Sequence, residues 1–142
     1  MREETITKGI KAYIESLGWK VLSFDFPQSG TGVTLKRNNH ENEKNRDTMN
    51  PDIIALKDST LLVMENKVEF SKKDLKKLEM VKTGEYTKSI RSHFPDFPFT
   101  KMRVGVGLKN TLSNAVKIGK ESGVLDFYIL LNEDLAIAKS TL

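Results

Sequence analysis

The chain has 142 residues, enough for one domain, with a formal net charge of +4 and no cysteine. The missing cysteines exclude disulfides, thiolate zinc sites and cysteine nucleophiles. No apolar run approaches the ~20 residues that a membrane-spanning helix needs.

A basic balance favours polyanions such as nucleic acid, though only weakly. The N-terminal stretch MREETITKGIKAYIESLGW has acids near its start and no apolar leader segment, so no secretory signal is expected. Together with the absence of thiols this fits a cytoplasmic location.

Residues 3–17 read as an amphipathic helix, because Ile6, Ile10, Tyr13, Ile14 and Leu17 recur at helical spacing. Gly18 is the stop. Trp19 to Phe26 alternates like a strand, and Pro27 ends it. Gln28 to Gly32 is turn chemistry, without the Gly-Lys-Ser/Thr of a phosphate loop. Residues 36–50 are the most polar stretch and read as a long loop, a feature often tied to function in a small domain.

Two short apolar runs follow, Ile53-Ile54-Ala55-Leu56 and Leu61-Leu62-Val63-Met64, with polar Lys57 to Thr60 between them. That pattern predicts a hairpin of buried strands. Ser71 opens a helix, with Asp74 completing a capping box, and Leu75, Leu78 and Val81 on its apolar side. The helix runs to about Lys82, and a second helical piece reaches Ile90. A proline-punctuated loop, 94–99, precedes a strand over 103–108, in which Gly105 and Gly107 allow close approach of another element. Residues 111–122 read as a helix, 126–131 as a strand and 135–138 as a short edge strand. The expectation is a single α/β domain over 1–142, a mixed sheet flanked by helices in the order α-β-β-β-α-β-α-β.

The chemistry concentrates on the hairpin. A turn centred on Asp58-Ser59 sets Asp52 directly across from Glu65, and opposed residues share a face with Cβ atoms roughly 4.5–5.5 Å apart. Lys67, two residues beyond Glu65, shares that face. A slip of one residue would send the two acids to opposite faces. Adjacent carboxylates repel unless a cation lies between them. A hard ion such as Mg²⁺ takes oxygen ligands and keeps several waters, so two acids and a phosphate oxygen suit it.

Pro51-Asp52, twelve further residues, then Glu65-Asn66-Lys67 resembles the PD-(D/E)xK signature of the restriction-endonuclease-like superfamily. Glu-x-Lys occurs once in the chain, whereas Asp74-Leu75-Lys76 falls in a helical pattern. The resemblance implies a restriction-endonuclease-like core, with Asp52, Glu65 and Lys67 catalytic and Asp52 and Glu65 ligating Mg²⁺, for which Mn²⁺ can substitute. It also implies a further acid on the first helix. Glu3 and Glu4 are the candidates; Glu4 is the choice, Glu3 lies nearer the apolar face, and Thr7 occupies the position closer to mid-helix.

The expected DNA contacts are Lys36, Arg37, Asn38, Asn39, Lys44 and Arg46 on the loop. Lys72 and Lys73 join them on the following helix, whose basic stripe also includes Lys76 and Lys77. His40 and His93 lack metal-ligand spacing and read as surface residues. The functional expectation is a divalent-metal-dependent DNA endonuclease, a type II restriction enzyme acting as a homodimer. A Holliday-junction resolvase or repair nuclease is the alternative within nucleases. A catalytically inactive DNA-binding or assembly module is the alternative from another class.

Overall fold

The computed structural model describes residues 1–26, 31–38, 48–121 and 123–142. Apolar spacing builds the first element as expected: Ile6, Ile10 and Ile14 line the buried side of α1 (Glu3–Ser16). Gly18 then takes a φ of +95°, a left-handed conformation that glycine adopts without strain. The chain returns as β1 (Lys20–Phe24) and re-enters the sheet as the hairpin β2 (Ile53–Lys57) and β3 (Thr60–Lys67). Helices α2 (Lys72–Lys82) and α3 (Thr87–His93) lead to β4 (Lys101–Lys109). Finally come α4 (Leu112–Lys120), β5 (Phe127–Leu131) and β6 (Ile137–Ser140).

The six strands form one mixed sheet in sequence order. β2 pairs antiparallel with both β1 and β3; β3, β4 and β5 pair in parallel, and β6 returns antiparallel to β5. Each face carries its own core. Ile6, Ile10 and Ile14 pack with Ile53, Leu62, Met64 and Phe127 on one side. Leu75, Leu78, Val81 and Ile118 pack with Ile54, Val63, Val104 and Val106 on the other. The structure is thus the expected α/β sheet with helices on both faces. Among the described residues no helix is long and apolar enough to cross a membrane.

The glycines of β4 serve close approach. A Cβ at Gly105 would lie 2.5 Å from the Phe127 ring, and one at Gly107 2.5 Å from Asn66 Oδ1.

Three local readings change. The last strand begins at Ile137 rather than at 135, because Leu135 occupies a turn with a φ of +68°. The 36–50 stretch is not a free loop throughout: Leu35 and Met49 form an antiparallel bridge, and both are buried. Only half of the capping box forms. Ser71 accepts a hydrogen bond from the Lys73 N–H, while Asp74 Oδ2 is buried without a hydrogen-bond partner among the described residues. Asp74 shares the inward side of α2 with Leu78 and Val81, four and seven residues on, so its carboxyl is drawn toward the sheet instead of the helix end.

Candidate active site

The hairpin register is the one the turn predicts. Ile53 pairs with Met64 and Lys57 with Thr60, leaving Asp58 and Ser59 as the two turn residues. Asp52 precedes the first pair and Glu65 follows it, so the two acids meet at the open end of the hairpin on the α2 side of the sheet, where their carboxyls share a hydrogen bond. The Asp52 backbone is held from both sides: its N–H donates to the Met64 carbonyl at 3.1 Å, and its carbonyl accepts from the Asp25 N–H at 2.8 Å. Its carboxylate accepts the Asn66 N–H at 2.7 Å.

Burial dominates the electrostatics. Glu65 is only 8% exposed. Burial pushes the Asp52 carboxyl up to about 6, against the opposing pull of the Asn66 N–H, the Lys67 charge and the hydrogen bond with Glu65. Burial also raises Glu65 well above the carboxylate range, and the negative charges of Asp52 and Asp74 raise it further. Their mutual hydrogen bond favours the charged form of Asp52 and the neutral form of Glu65. Lys67 is half-buried. Burial alone would lower it, but Asp74, Glu3, Asp52 and Glu65 together outweigh burial and raise it. Lys67 is therefore a firmly held cation.

The site gathers more acid than the motif contains. Glu3 Oε1 lies 3.5 Å from Lys67 Nζ. Glu4, the residue chosen from sequence, instead pairs with Lys8 at 3.0 Å along the helix. Helical spacing marks the difference: Glu3 leads the inward Ile6 and Ile10, while Glu4 leads the outward Lys8. Asp74, assigned to capping from sequence, is raised by burial; Lys67 opposes that shift and Glu3 adds to it.

The expected DNA residues divide. Arg37 pairs with Glu85 at 2.9 Å, and Asn38 bonds to Gly84, Glu85 and Lys88, so both tie the loop to the corner between α2 and α3. The Lys36 N–H is held by Ser89. Asn39, Lys44 and Arg46 lie outside the described residues, as does His40. Lys72 is 86% exposed, 3.9 Å from Glu121, and Lys73 is exposed beside it. Lys77 reaches the Thr48 carbonyl instead of extending the stripe. His93, exposed, contacts the Thr34 carbonyl.

The residues present fit Mg²⁺. Two facing carboxyls, both disfavoured as charges by burial and Glu65 further by the charge of Asp52, attract a cation, and Asp74 Oδ2 adds a buried oxygen without a hydrogen-bond partner among the described residues. Among the described residues no three acidic or histidine side chains are arranged to hold a metal by themselves. Mg²⁺ is usually bound through one or two carboxylates with waters and substrate phosphate, which suits the Asp52–Glu65 pair.

No family model, no curated protein and no solved structure matches the chain.

Proposed function

We propose that this protein is a divalent-metal-dependent endonuclease that hydrolyses DNA phosphodiester bonds on a restriction-endonuclease-like core. The observation that carries the reading is the meeting of the Asp52 and Glu65 carboxyls at the open end of the hairpin, with Lys67 two residues beyond Glu65 on the same face of β3. The order of helices and strands around that hairpin supports it, as does the meeting of Glu3, Asp74 and Lys67 at one place.

Asp52 and Glu65 would hold the ion. When bound, Mg²⁺ polarises the phosphoryl group and acidifies a water. Lys67, kept protonated by four acids, offsets negative charge on the reacting phosphate rather than accepting a proton. Exposed Lys72 and Lys73 open the helix that delivers Asp74, so they stand where flanking phosphates would be met. These contacts are independent of sequence.

The finer reading is a type II restriction enzyme working as a homodimer, which matches a short chain to two strands of a palindrome. Its base-reading side chains would have to lie beyond Arg37 and Asn38, which are engaged at the α2–α3 corner.

The test is cleavage of supercoiled and linear plasmid with Mg²⁺, with EDTA, and with Glu65→Ala. Metal-dependent cutting lost in the variant is expected, and discrete fragments would favour the restriction reading over a resolvase or repair nuclease. Intact plasmid and an intact four-way junction under every condition would sink the proposal in favour of a DNA-binding module.

A further inference from the structure

The middle residue of the Glu65-Asn66-Lys67 segment turns away from the carboxyls, toward α1. Asn66 is fully buried. Its backbone serves the site and its side chain serves the helix: the N–H donates to Asp52 Oδ2 at 2.7 Å, and Nδ2 donates to the hydroxyl of buried Thr7 at 3.2 Å. Gly107 stands beside it on β4 and leaves space for Asn66 Oδ1, which accepts no hydrogen bond from the described residues.

The strand ladder explains why this peptide is special. β2 begins at Ile53, opposite Met64, so β3 extends past the end of its partner. The Met64 carbonyl still meets the Asp52 N–H. One step on, the Asn66 N–H points to the same edge, where no strand carbonyl stands, and the Asp52 carboxylate takes the carbonyl's place. The orientation of that carboxylate therefore depends on where the Asn66 peptide is held.

Stability alone does not ask for the Thr7–Asn66 pair. A buried amide with an unpaired oxygen is unfavourable, and an apolar pair of similar shape avoids that cost. We propose that Thr7 and Asn66 act as a positioning pair, locking the residue 66 peptide so that Asp52 presents its carboxylate in one orientation to the ion. The link to the ion rests on the nuclease reading; the link to Asp52 does not.

The experiment compares wild type, Thr7→Ser, Thr7→Val and the double variant Thr7→Val/Asn66→Val. Amide exchange at residue 66 is read by NMR in metal-free protein, and Mn²⁺ binding by calorimetry. Thr7→Ser keeps wild-type exchange and affinity. Thr7→Val exchanges faster at residue 66 while Leu62 stays protected, and binds Mn²⁺ about ten-fold more weakly. The double variant, with its apolar pair, melts no lower than wild type yet shows the same two losses. A double variant with wild-type protection and wild-type affinity would overturn the proposal and leave the pair as packing. If wild type binds no Mn²⁺, the nuclease reading fails, and the exchange comparison alone decides whether Thr7 and Asn66 hold the Asp52 contact.

Discussion

Asp52 and Glu65 face each other at the open end of the β2–β3 hairpin, and burial drives both carboxyls toward their neutral forms. Asp52 is raised to about 6 from an ordinary 3.8, so the folded protein binds a proton that the unfolded chain has already released between those values. The metal-free protein is therefore expected to lose stability as pH rises through that window. The Asp52 share is up to about 3 kcal/mol, fully felt above pH ~6. Asp52→Asn removes this share, so the variant should be the more stable protein at pH 8 in EDTA and show a flatter pH profile. Denaturant titrations from pH 4 to 8 measure both, and an unchanged slope in Asp52→Asn would show that the carboxyl is not held neutral.

A divalent ion should reverse that trend. Binding requires both carboxyls to give up their protons, so affinity rises with pH. Free Mg²⁺ or Mn²⁺ a hundred-fold above its dissociation constant adds about 2.7 kcal/mol to stability. Thermal melts should show a clear upward shift at pH 8 and a smaller one at pH 5. Asp52→Asn and Glu65→Gln should abolish the shift. Equal shifts in wild type and both variants would place the ion elsewhere.

How far the site could be read from sequence follows from the range of the contacts involved. Asp52 and Glu65 are linked by a two-residue turn, so a local feature, Asp58-Ser59, fixes their pairing. The apolar spacing of Ile6, Ile10 and Ile14 likewise reports a local helix. Asp74 was hidden because Ser71 and Asp74 satisfy a capping pattern equally well, and only the packing of α2 on the sheet decides between the helix end and the site. Thr7 and Asn66 are 59 residues apart, and no local period brings them together. The bridge between Leu35 and Met49 is of the same kind, a pairing across a polar stretch whose periodicity is silent.

Lys67 separates binding from reaction. Lys67→Met removes a cation held among four acids, so ion binding should persist or tighten while DNA cleavage is lost. A fall in kcat of about two orders of magnitude or more is expected, the scale of losing one group that stabilises transition-state charge. Lys67→Arg keeps the charge but changes its shape, so it should recover little. Calorimetry with Mn²⁺ beside single-turnover cleavage distinguishes the two effects. Lost ion binding in Lys67→Met would mean that the lysine holds the site together and has no separate part in the reaction.

Glu3 and Glu4 provide the sharpest contrast, since they are adjacent in sequence and differ only in the side of α1 they occupy. Glu4 is one half of a partly exposed pair with Lys8. Such helix pairs contribute about 0.3–0.5 kcal/mol, so Glu4→Gln should change melting little and cleavage not at all. Glu3 touches Lys67 and adds negative potential at Asp52 and Asp74. Its removal leaves Lys67 less anchored and makes the carboxyls easier to ionise, but weakens the field that draws the cation in. Glu3→Gln should therefore bind Mn²⁺ up to about ten-fold more weakly and cleave more slowly, with its folding unchanged. The reverse pattern, a silent Glu3→Gln and an impaired Glu4→Gln, would mean that α1 meets the substrate with the side carrying Lys8 and that Glu3 merely decorates Lys67.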